Sequence, residues 1–106
     1  MSAATLAALG EADEATISAI DALRADDRHL EAREHYGHLV SRHQRRALSI
    51  AYRMLRDPAD AEEVVQDAFV KAYLHLPSFR RELPFAAWFT RILTNSCRDR
   101  IKTRSR

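Results

Sequence analysis

A chain of 106 residues has room for one small hydrophobic core. With 46% hydrophobic and 30% charged residues it is neither a disordered tail nor a membrane-embedded protein, and its single cysteine, Cys97, excludes an internal disulfide and a paired-cysteine metal site. The net charge of +2 hides an asymmetry: residues 1–67 hold 13 acids against 8 Lys and Arg, residues 68–106 hold 2 acids against 9. That split points to two partners of opposite charge, a polyanion on the C-terminal side, although an uneven solvated surface would give the same totals.

Only 2 Gly and 3 Pro argue against a turn-rich fold. The expected class is therefore all-α, a compact bundle of about four helices without strands. Residues 1–16 are Ala-rich and acidic and read as a flexible or weakly helical extension. The opening segment carries no basic residue before Arg24, unlike a signal peptide, and no apolar run approaches the roughly 20 residues of a membrane span. A short helix is expected over 17–24, ended by the polar stretch at Asp26 and Asp27. Apolar residues at steps of three and four, from Tyr36 through Leu39, Val40 and Ala47 to Leu55, predict a long helix over 35–56. Asp57-Pro58 is a helix-start signal, a capping carboxylate before a proline suited to the first turn, and predicts a third helix to Leu76. A loop over 77–84 then leads into a last helix from Pro84 to about Ile101.

Two of these helices carry faces that core packing leaves unexplained. At 100° per residue, Asp60, Glu63 and Asp67 of the third helix lie together, with Val70 and Leu74 on the same side. Apolar side chains among acids fit a docking face for a basic protein surface better than plain solvated surface. On the last helix Arg91, Asn95, Arg98 and Lys102 share one arc, and Trp88 stands on its border with the apolar arc of Phe85, Phe89, Ile92 and Leu93. Cations for phosphates, an aromatic plane for an unpaired base and an amide for a base edge are the groups that single-stranded DNA binding uses. A border Trp alone would more often anchor a core.

Residues 60–73, DAEEVVQDAFVKAY, followed by LPSFR at 76–80 and PFAAWFTRILTN at 84–95, resemble region 2 of the extracytoplasmic-function sigma factors. The resemblance is strong over 36–106 and loose over 17–35. It implies a region 2 domain over 17–106, with core binding in 57–76, a specificity loop in 77–84 and a melting and −10 recognition helix in 84–106. It implies that Asp60, Glu63, Gln66 and Asp67, beside Val70 and Leu74, face the clamp helices of the largest subunit of core RNA polymerase. It implies too that Phe79, Arg80 and Arg81 help capture a flipped base of the promoter non-template strand, and that Trp88, Arg91 and Asn95 lie near melted −10 DNA. Arg98, Arg100, Lys102 and Arg104 would then hold upstream phosphates. Arg81 departs from the family pattern, where Gly is frequent, and Leu83-Pro84 replaces more polar residues, so the base preference of the loop is left open. Asp99 either orients Arg98 or Lys102 or is a solvated charge.

No second domain for the −35 element is expected in this chain, which reads as an excised part of a longer factor. A cytoplasmic setting and an anti-sigma partner, often membrane-bound, belong to the same resemblance. No cofactor, metal or enzymatic activity is expected: His29, His35, His38 and His43 lack a metal-ligand spacing and read as surface or capping residues, and Cys97 as a buried inert thiol. Residues 1–30 could serve as an acidic segment folding back on the basic helix or as a docking arm. The competing readings are a duplex DNA-binding regulator acting without polymerase and a helical adaptor with protein partners only.

Overall fold

Ser2 begins the first helix, its hydroxyl accepting from the Thr5 backbone N–H at 3.1 Å. In the computed structural model, which describes residues 2–105, this helix is α1, Ala3–Ala25. It continues through the segment whose composition suggested fraying, because its inner face is held from a distance. Ile17 and Ile20 are buried, and the buried Asp13 carboxylate accepts from Arg42 Nε at 2.9 Å and shares a hydrogen bond with His43 Nε2 at 2.8 Å. The helix stops where Asp27 adopts a left-handed conformation (φ 60°) and Arg28 N–H donates to Leu23 O at 2.8 Å, the αL closure that Asp tolerates better than most residues.

α2 spans His29–Leu55, starting earlier than the apolar periodicity predicted because Ala32 is already packed against its neighbours. It ends at Arg56, also left-handed, whose N–H reaches Tyr52 O at 2.8 Å. The expected cap opens α3, Pro58–His75: Asp57 accepts from Asp60 N–H at 3.1 Å. A single 3₁₀ turn, Leu76–Ser78, and the loop 79–84 precede α4, Phe85–Arg104. There are four α-helices and no strand among the described residues.

α2 is central and packs against the other three helices. Alanines at 47, 51, 61, 68 and 72 are all buried and let α2 and α3 approach closely, while Leu39, Phe69, Phe89 and Leu93 fill the space between. Phe69 stacks on Phe89 with ring centroids 4.3 Å apart, and Phe85 continues the row at 5.8 Å from Phe89. No helix among the described residues is long and apolar enough to cross a membrane.

Two expectations about histidine and α1 need correction. His43 is neither a surface nor a capping residue; it is buried against Phe85 and tied to Asp13. No group of His, Cys, Asp and Glu side chains among the described residues is placed to hold a metal ion. α1 does not lie over the basic arc of α4, where Arg91, Arg98 and Lys102 stay exposed; it packs mainly on α2.

Candidate polymerase and nucleic-acid interfaces

The acidic side of α3 is built in two different ways. Toward the C-terminal end, Asp67 is exposed, and Val70 and Leu74 are 59% and 68% exposed, a large apolar display for a small domain. Behind them a groove of about 830 Å³ runs between α2 and α3. Its floor is Tyr36, Val40, Val65 and Phe69, and its polar edge includes Gln66 and Arg33. The floor is cross-braced: Tyr36 Oη donates to Phe69 O at 2.6 Å, and its ring lies 4.8 Å from that of Tyr73. Burial pushes the Tyr36 phenol far above its ordinary range, so it remains a neutral donor. At the groove's end Arg24 lies over the Tyr73 ring at 4.1 Å and donates to Tyr73 O at 2.9 Å, fastening α1 to α3.

The N-terminal end of the same face is engaged internally. Arg100 Nη1 donates to Asp60 Oδ1 at 2.9 Å and its Nη2 to Glu63 Oε1 at 3.1 Å. Arg104 binds the other Asp60 oxygen through Nε at 3.0 Å and through Nη2, and its Nη1 caps Leu55 O at 2.9 Å. Asp60 therefore fastens the end of α4 to the junction of α2 and α3, and it is neither a free docking acid nor a bystander. Arg100 and Arg104, assigned to phosphates by resemblance, turn toward α3 and stand apart from the basic arc.

Hydrogen bonds from Arg104, with the charges of both arginines and against some burial, hold the Asp60 carboxyl below its ordinary range. A depressed folded-state pKa contributes stability above the usual carboxylate value and loses it as pH falls through the lower, folded value. Asp60→Asn is expected to be less stable than the parent at neutral pH, with the gap closing as pH falls below about 4 in urea titrations. A gap independent of pH would show that the carboxylate charge does not fasten α4.

The remaining basic surface is narrower than the sequence implied, and cleaner. Arg91 and Lys102 are exposed and make no side-chain hydrogen bond or ion pair among the described residues, and Arg98 Nη1 reaches only Asn95 Oδ1, at 3.3 Å. Asp99 is exposed and bonds neither Arg98 nor Lys102 through its carboxylate. Trp88 is half-buried at the upper end of this row, packed on Phe79 at 4.8 Å and Phe85 at 5.8 Å. Phe79 is thus part of an aromatic cluster, and Arg80 is exposed beside it. Arg81 is drawn to α1, donating to Ser18 Oγ at 2.9 Å and Asp21 Oδ2 at 2.6 Å. Underneath, Lys71 Nζ donates to Ser96 Oγ at 3.2 Å, and burial raises the pKa of the Cys97 thiol, which keeps it protonated.

Val40, Gln44 and Leu48 form the α2 side of the groove, which the face pattern of α3 alone does not reveal. The sequence signal for it is the apolar pair Val40 and Leu48 on α2, whose partial burial only the structure shows.

Residues 39–106, from the middle of α2 through α4, match the model of the sigma-70 region 2 family. The chain belongs to that family. The region 2 segment is 37% identical over 68 residues to the ECF RNA polymerase sigma-E factor of Escherichia coli K12, and 34% identical over 67 residues to the ECF RNA polymerase sigma factor SigW of Bacillus subtilis. It is 35% identical over 68 residues to the RNA polymerase sigma-H factor of Pseudomonas aeruginosa. These matches take in 63–64% of this chain but only 35–36% of each relative, so the chain corresponds to about a third of the curated relatives' length. No solved structure gives a significant match. The domain is a sigma-70 region 2 domain, all-α as the sequence implied, and over that segment it is similar to extracytoplasmic-function sigma factors.

Proposed function

We propose that this region 2 domain docks on core RNA polymerase through the α2–α3 groove and the exposed end of α3, and that α4 with the preceding loop holds the melted −10 element of promoter DNA. The observation that carries the DNA side is the segregated row of Trp88, Arg91, Asn95, Arg98 and Lys102, whose cations face solvent while Arg100 and Arg104 are spent internally. The indole plane can stack on a base that has left the duplex, at about 1–3 kcal/mol, comparable with the cost of unstacking it. Melting in this reading is a matter of binding: the open strand is favoured because only it offers a base face to Trp88 and a base edge to Asn95. The domain performs no covalent chemistry.

The polymerase side rests on the exposed Val70 and Leu74 beside Asp67 and on the groove behind them. Clamp helices of the largest subunit are the proposed occupant. An anti-sigma factor competing for one of these surfaces, and a cytoplasmic setting, follow from the same reading.

The salt dependence of binding to single-stranded oligonucleotides tests the DNA assignment. Four free cations, Arg80, Arg91, Arg98 and Lys102, predict a slope of log K against log salt of about −3, whereas adding Arg100 and Arg104 would make it about −4. Lys102→Ala is expected to reduce the slope by about 0.7 and Arg104→Ala to leave it unchanged. No salt dependence at all would remove nucleic acid from the function.

A further inference from the structure

The loop 79–84 is anchored at both ends but hardly in between. Phe79 is pinned between the rings of Trp88 (4.8 Å) and Phe85 (6.2 Å), and Phe85 opens α4 buried. Between them residues 80–83 turn on one long backbone hydrogen bond, Leu83 N–H to Arg80 O at 3.5 Å. A groove of about 310 Å³, walled by Gly10, Glu14 and Ile17 of α1 and by Leu83 and Phe85, separates that turn from α1. The loop therefore stands off the nearest helix instead of packing flush on it.

One side chain spans the gap. Arg81 bonds Ser18 and Asp21 of α1, and these are the only side-chain hydrogen bonds made by residues 80–83 among the described residues. α1 is a firm anchor at this point, with Ile17 and Ile20 buried and Asp13 and Thr16 held by Arg42 and His43 of α2. The Arg81–Asp21 pair is itself about half exposed, so it contributes little to global stability. Its consequence is positional, since it decides where a weakly packed turn sits relative to Trp88.

We propose that Asp21, assisted by Ser18, is a positioning residue that sets the base preference of the 79–84 loop through Arg81. The inference rests on the proposed function, in which this loop meets an unpaired base, and goes beyond the family match: Ser18 and Asp21 lie outside residues 39–106. With the tether in place, Arg81 is neutralised by Asp21 and withheld from phosphates. Arg80 and the edge of Trp88 then present a fixed geometry to the base.

The test uses the whole chain and two readouts. Hydrogen exchange of the loop reports the tether, and selection from a single-stranded oligonucleotide pool with a randomised window reports base preference. Asp21→Ala and Arg81→Ala should each raise loop exchange severalfold and flatten the preference at one position, with thermal unfolding nearly unchanged. The double variant should behave like either single one, because both remove the same contact. The exchanged pair Asp21→Arg with Arg81→Asp should restore both readouts. Unchanged loop exchange in Asp21→Ala would overturn the tether. Raised exchange with an unaltered base preference would overturn the specificity role while leaving the DNA function standing. Failure of the parent chain to select any sequence would instead overturn the proposed function and, with it, the role of the loop.

Discussion

Trp88→Ala is expected to weaken binding of single-stranded −10 DNA by about 5- to 150-fold, the loss of one stacked base, while capture of core polymerase is retained. Because Trp88 also packs on Phe79 and Phe85, its truncation opens space in the aromatic cluster and lowers thermal stability too. Two companions separate those effects. Trp88→Phe keeps an aromatic plane and should recover most of the affinity. Asn95→Ala removes an exposed amide with no core contact and should cost affinity for the preferred sequence by about fivefold or more without moving the melting temperature. Anisotropy titrations with labelled single strands, run beside thermal melts and a polymerase pull-down, give all three quantities. Parallel loss of DNA and polymerase binding in Asn95→Ala would contradict the division of surfaces.

On the opposite side, Asp67→Lys combined with Leu74→Ala should reduce capture of core polymerase at least about tenfold, by placing a like charge and removing an apolar anchor at one contact. Both side chains are exposed, so the fold and the DNA affinity should persist. Asp60 is the wrong residue for this experiment, despite sharing the stripe. A lysine there would face Arg100 and Arg104 and release the end of α4, so Asp60→Lys should damage stability and DNA binding along with docking. If the Asp67→Lys, Leu74→Ala variant captured core normally, the α3 face would be ordinary surface.

The contrast between Asp60 and Asp67 shows what could be read from sequence. Periodicity places both acids on one side of α3, and that is where they are. It carries no information about a guanidinium 40 residues further along the chain, and the Arg100 and Arg104 pairs are what change the meaning of Asp60. The same holds at the N-terminus. Local composition made residues 1–16 look frayed; the bonds that keep Asp13 inside come from Arg42 and His43, about 30 positions away. The same holds for His43, since nothing local marks Asp13 as its partner. By contrast the start of α3 and the Trp88 border depend on neighbours within a turn or two. Asp57 caps where its position before Pro58 requires, and Trp88 sits half in the core and half out. Arg81 was visible as a departure from the family pattern, but its bond across to α1 was not.

The most direct measurement of the central claim is the affinity of this chain for a labelled non-template strand chosen from a randomised pool, set against the matching duplex, with and without core polymerase. The account predicts preference for the single strand by the chain alone and a tighter ternary complex with core, the preference falling in Trp88→Ala and the ternary gain falling in Asp67→Lys. Tight duplex binding that needs neither core nor Trp88, or no nucleic-acid binding under any condition, would contradict it.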